Sequence, residues 1–172
     1  MKKGDSLFQI IAATGHCLAL TAALLFIASI STAIRSAHAV EELTYSPASE
    51  ASPSLRLQLN EYLKENFKSD SSEYTLTSTD LNGDNLLEYI LKRNNCGQYT
   101  NACTHLVIAE KQDELTLLSK IVAHRLMIGD GQSYGIKNLL AFNNPINAYI
   151  FDIYMWSPHE KMYILKPDKK RD

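Results

Sequence analysis

The run from Asp80 to Glu110, DLNGDNLLEYILKRNNCGQYTNACTHLVIAE, constrains this chain more than any other stretch. It sets an oxygen-rich turn before an apolar strand, then a short loop bounded by Cys96 and Cys103, then a second apolar strand. Asn82-Gly83 between two extended runs is a strong hairpin signal, because both residues tolerate the positive φ that a tight reversal between twisted strands demands. Residues 86–92 and 105–109 are therefore expected as strands flanking the cysteine loop.

The chain before and after this run supplies a helix and more sheet. Residues 40–51 are rich in Ser, Glu, Ala and Pro without an apolar period and read as a flexible linker. Ser52-Pro53 then has the form of a helix start, a hydroxyl cap followed by proline in the first turn. Leu55, Leu59, Tyr62, Leu63 and Phe67 recur at helical spacing, which predicts one amphipathic helix over 53–68 with its apolar stripe in the core. From Tyr74 the period changes to two, and short apolar runs follow over 74–78, 115–118, 121–128, 136–142, 148–156 and 161–165. KQDE at 111–114 is a polar turn, GDGQSYG at 129–135 reads as a loop, and SPHE at 157–160 joins a last hairpin. The expectation is an α+β domain over 52–166, one N-terminal amphipathic helix packed on a mostly antiparallel sheet of about six to eight short strands. Residues 167–172 form a basic tail.

Compartment is read from the first residues. Lys2 and Lys3 precede an apolar stretch, and Ala37-His38-Ala39 puts small residues where a signal peptidase needs them. Residues 1–39 are thus expected to be a signal peptide cut after Ala39, delivering a periplasmic or secreted protein. The alternative is a retained anchor over 7–34, a stretch free of charge and long enough to span. Beyond the leader only Cys96 and Cys103 remain, and an even pair in an oxidising compartment predicts a disulfide closing a short local loop. The formal net charge of the chain is -2, and the leader holds Lys2, Lys3 and Arg35 against Asp5, so the remainder is more acidic still. Neither sign dominates, nothing argues for a phosphate backbone as partner, and nucleic acid is not an expected partner.

Two loops carry the functional candidates. Asp80, Asn82, Asp84 and Glu88 alternate oxygen side chains along one tight segment, the arrangement with which proteins surround hard cations, and calcium is the expected cofactor. Gly83 permits the sharp turn, and Asn85 tolerates a left-handed conformation. The spacing is not that of an EF-hand, since Leu91 stands where the closing acid belongs. The run resembles the D-x-[DN]-x-D-x-x-x-[DE] calcium loops of FG-GAP (integrin-like) repeats. It is also similar to the DLNGDGxxE hairpin of small exported bacterial proteins of unknown function, in which a CG-containing cysteine loop follows. Cys96-Gly97, Cys103, Tyr154, Trp156 and Tyr163 match that second pattern. The resemblance implies calcium held by Asp80, Asn82, Asp84 and Glu88. An ordinary hairpin with solvated acids accounts for the same residues.

Gly97, Gln98, Tyr99 and Asn101 lie inside the cysteine loop and are the candidate partner-binding residues. A disulfide-fixed loop bearing an aromatic binds with little further loss of conformational entropy. In shape and compartment it resembles the disulfide-closed loop of periplasmic lysozyme inhibitors; a stapled hairpin that resists proteolysis is the plainer reading. For catalysis, Ser133 in G-Q-S-Y-G has glycines placed as in a nucleophile elbow, but an elbow needs a parallel strand before it and a helix after it. His105, His124 and His159 show no metal-ligand spacing. The expectation is a non-enzymatic binding module with a protein partner, with an inhibitor or immunity factor acting through Cys96–Cys103 as the alternative and a hydrolase around Ser133 third. A membrane enters only through an uncleaved leader.

Overall fold

The computed structural model describes residues 40–97, 101–146 and 150–167, and the expected leader and basic tail lie outside them apart from Pro167. Within the unit Val40–Asp172, the helix forms as the sequence predicts. Helix α1 spans Pro53–Phe67, and the Ser52 hydroxyl accepts from the Leu55 N–H at 3.3 Å. Lys68 ends it at φ 56, with its N–H returned to the Leu63 carbonyl. Leu59 and Leu63 are wholly buried.

The strands divide between two sheets, which corrects the expectation of one. The first sheet has the order β1-β7-β8-β9-β10, and the second β2-β3-β4-β5-β6, five strands each. In the first, β1 is Glu41–Glu42, β7 Arg125–Ser133, β8 Ile136–Phe142, β9 Asp152–Ser157 and β10 Met162–Leu165. In the second, β2 is Ser46–Pro47, β3 Tyr74–Thr79, β4 Glu88–Arg93, β5 Cys103–Lys111 and β6 Glu114–Ala123. Every pairing is antiparallel.

The physical reason is the passage from β6 to β7. Only His124 separates them, at a bend, so the chain leaves one sheet and enters the other without glycine, proline or a polar turn to mark the step. The chain steps between the same two sheets from β1 to β2, across Leu43, Thr44 and Tyr45. Residues 40–51, expected to be a linker, therefore pair with Met127 and Ile128 on one side and with Thr75 and Leu76 on the other. Ala48 is fully buried in a one-turn 3-10 helix, Ala48–Glu50.

The layers are helix, second sheet, first sheet. Leu59 and Leu63 of α1 pack with Tyr74, Leu76, Leu91, Leu106 and Ile108 on one face of the second sheet. Ile90, Val107, Ile121 and Ala123 on its other face meet Leu126, Ile128, Leu139, Ala141 and Tyr163. A strand's side chains alternate, so both faces of β4 and β5 read as continuous apolar runs. Strand β6 uses a bulge to serve both cores. Val107 pairs with Ser119 and Ile108 with Leu117, which leaves Leu118 as the extra residue. Beyond it the parity reverses: Leu115 and Leu117 face the helix, whereas Ser119, Ile121 and Ala123 face the first sheet.

GDGQSYG is not a loop. Strand β7 continues through Ser133, and the reversal is Tyr134-Gly135 at φ 56 and 81. The earlier glycines serve an irregularity in the β7–β8 pairing, where a Cβ on Gly131 would lie 3.0 Å from the Asn138 amide nitrogen. Nor is Asn82-Gly83 a two-residue hairpin. Thr79 pairs with Glu88, residues 80–87 form a longer connection, and Leu86 and Leu87, expected in the strand, are exposed. Among the described residues no helix is long and apolar enough to cross a membrane, which says nothing of β-barrels.

Candidate binding site at the disulfide end

Strand β4 runs from the acidic turn at Glu88 to the cysteine loop after Arg93, so the two sequence candidates lie at its two ends. Cys96 and Cys103 are joined in a disulfide, seven positions apart. Inside it, the Gly97 N–H donates to the Ala102 carbonyl and the Asn101 N–H to the Gly97 carbonyl, both at 2.9 Å. Asn101 adopts φ 51 and presents its carbonyl to His124 Nδ1 at 3.3 Å, which ties the loop to the β6–β7 bend. Gln98 and Tyr99 lie outside the described residues.

Beneath this loop is an open cleft of about 440 Å³. Both places where the chain changes sheets contribute to it, Leu43 and Tyr45 from the first, His124, Arg125 and Leu126 from the second. Its floor comes from β4 and β5, where Lys92 and His105 share the inter-sheet face with Ile90 and Val107. His105 is 1% exposed, with Nδ1 3.1 Å from the Cys103 carbonyl, so this nitrogen carries a proton to donate. Burial first, and then the Lys92 charge, lower its pKa from 6.5 to about 4, against the opposing hydrogen bonds to Cys103 and Ile121; the imidazole is neutral at pH 7. Tyr45 packs its ring 6.4 Å from that of His105, and the Lys92 ammonium stands 5.7 Å from the Tyr45 centroid. The Tyr45 hydroxyl is enclosed without a hydrogen-bond partner among the described residues, and burial raises its pKa.

The acidic turn is organised by its own backbone. Asp80 Oδ1 accepts from the Gly83 N–H at 2.6 Å and Oδ2 from the Asn85 N–H at 3.0 Å. Desolvation pulls the Asp80 carboxyl upward, but the N–H groups of Gly83, Asn85, Asn82 and Asp84 outweigh it, and its pKa falls below the usual carboxylate value. Asn82 Oδ1 accepts from Asp84 N–H and Asp84 Oδ1 from Leu86 N–H. Glu88 is buried, with Oε2 accepting from the Leu81 N–H at 2.8 Å. Desolvation first, then the charges of Asp84 and Asp80, raise its pKa against the Leu81 bond. The Asn82 amide nitrogen lies 3.0 Å from Asp84 Oδ2 and 3.2 Å from Glu88 Oε1, a donor set between two carboxylates. Among the described residues no group of three His, Cys, Asp or Glu side chains is arranged around one metal position. The turn also joins the sheets: Leu81 is buried in the inter-sheet core and its carbonyl accepts from Lys137 N–H at 2.8 Å.

The remaining candidates are placed apart. Ser133 donates to Asn138 Oδ1 at 2.7 Å across the β7–β8 pair, between antiparallel strands rather than at an elbow. His159 is exposed in the β9–β10 turn beside Glu160. Sequence reasoning missed Lys92, Arg125 and Tyr45. The available signal was parity: Glu88, Ile90 and Lys92 share a face, so a lysine stands where an apolar residue is expected. Arg125 and Tyr45 gave no such signal, because their proximity depends on the two sheet crossings. No protein-family model matches the chain, and no curated protein or solved structure matches it.

Proposed function

We propose that this is an exported, non-enzymatic binding module that meets its partner at the disulfide end of the sandwich. The observation that carries this reading is the juxtaposition of the Cys96–Cys103 loop with the cleft bounded by Tyr45, Lys92, His124 and Arg125. The disulfide and the Asn101–His124 bond tie both ends of the loop to the sheets, which limits the ordering entropy that association there would lose. A protein partner fits the rim, and an inhibitor or immunity role is the form this takes if that partner is an enzyme. The test is affinity capture from the exported fraction with the full chain, comparing Cys96→Ser/Cys103→Ser and Tyr99→Ala with the unaltered protein. Capture is lost or weakened in the variants on this reading; capture unaffected by all three changes shows that the loop is structural.

The acidic turn supports a second role, calcium as a stabiliser rather than a cofactor of chemistry. Three acids share one turn, two of them push Glu88 upward, and a cation relieves that repulsion. Asn82 would have to turn its amide so that Oδ1 rather than Nδ2 faces Asp84 and Glu88. The midpoint of thermal unfolding rises with calcium and returns with chelator on this reading, and a midpoint indifferent to both removes calcium.

A further inference from the structure

We infer that the cleft under the disulfide loop is an oxyanion-binding subsite, with Lys92 and Arg125 as the groups that recognise a carboxylate or phosphate. The inference rests on the proposed binding role of that end and specifies its ligand chemistry.

The chain as a whole is acidic, yet this concavity draws two permanent cations and two imidazoles from three separate segments, with Glu42 the one carboxylate among its lining residues. Among the described residues neither cation is paired with a carboxylate. The Lys92 ammonium has an aromatic ring, not an acid, as its neighbour, and its charge is felt by His105. The Arg125 guanidinium carbon stands 4.7 Å from the Phe142 ring centroid. That cation–π contact positions the group but uses none of its five N–H donors, and no guanidinium hydrogen bond reaches another described residue. Lys92 is half-buried on the inter-sheet face with no carboxylate within ion-pair distance among the described residues, so an anion entering the cleft meets an unpaired ammonium.

The adjoining groups set the shape of the ligand. His124 is held at the rim by its Nδ1–H bond to the Asn101 carbonyl, which uses the one N–H of the neutral ring, so recognition of the anion falls to Lys92 and Arg125. The Tyr45 ring and Leu43 supply apolar wall, so the oxyanion sits on a stem with some apolar surface. At about 440 Å³ the cleft is of a size that takes a small molecule or one projecting side chain. A free organic anion and an acidic side chain on a protein partner present the same chemistry here.

Isothermal titration of the full chain with three probes tests this: citrate, inorganic phosphate, and an end-capped acidic tetrapeptide of glutamates matched to its glutamine counterpart. Binding of at least one anionic probe is expected, weakened about tenfold by each of Lys92→Gln and Arg125→Gln, as for loss of a charge-assisted hydrogen bond. Citrate or phosphate binding identifies a free anion as the source; binding of the glutamate peptide alone identifies an acidic side chain. No binding by any probe, equal binding of the glutamine peptide, or affinity indifferent to both substitutions overturns the inference. Arg125→Lys, which keeps charge and fold but loses the planar fork, retains part of the affinity. The binding-module reading fails separately, through partner capture that ignores the loop variants.

Discussion

His105 in the cleft floor and Tyr45, whose ring lies beside it, report on the fold in different ways. The unfolded chain takes up a proton on His105 near pH 6.5, and the folded chain refuses it until about 4. Stability from this residue is therefore full above 6.5 and is lost as pH falls toward 4. At ~1.4 kcal/mol per pKa unit the loss approaches roughly 3 kcal/mol. Urea unfolding at pH 7 and pH 4.5 should show wild type losing more stability than His105→Gln over that interval; equal losses would mean the imidazole is not shielded. Glu88 acts with the opposite sign, since its raised pKa contributes stability at low pH that disappears as pH rises through it. The Tyr45 hydroxyl, enclosed and unpaired, is a cost to the fold. Tyr45→Phe is expected to leave stability unchanged or raise it by up to about 1 kcal/mol, and a loss larger than that would reveal a partner for the hydroxyl.

Among the elements, the helix was legible in the sequence because its signals are local: a serine cap, a proline in the first turn and an apolar stripe. The disulfide was legible because only two cysteines lie beyond the expected leader. The two-sheet arrangement was not, because β6 passes into β7 through His124 with no turn chemistry, and the Leu118 bulge reverses parity inside an otherwise ordinary strand. Deleting Leu118 keeps Val107 opposite Ser119 and Ile108 opposite Leu117 in an unbroken ladder, so Ile121 and Ala123 stay on the inter-sheet face and the shortened protein should still unfold cooperatively. Loss of a cooperative melt would contradict Leu118's place as the extra residue. Gly83 stands at φ +78 with open space around it, so Gly83→Ala costs about 1 kcal/mol from backbone strain alone, measurable by denaturant unfolding. Removing the Cys96–Cys103 bridge costs about 2 kcal/mol, as expected for a short closed loop.

At the scale of the whole molecule, a helix–sheet–sheet sandwich puts its loops at two ends of the shared strand β4. One end, the acidic turn, bonds to itself and to Lys137 of the opposite sheet, which makes it a fastening between layers as well as a cation candidate. The other end gathers Lys92, His124 and Arg125 under a disulfide, and among the described residues no carboxylate pairs with either cation. The sequence disclosed the first end and the cysteines of the second, since both are contiguous. It concealed the cleft, whose walls come together only after two crossings between sheets. Amide and side-chain NMR of the full chain, titrated with the anionic probes, tests recognition at the disulfide end most directly. Shifts centred on Lys92, Asn101, His124 and Arg125 are expected. Shifts confined to residues 80–88, or none at any probe concentration, would contradict it.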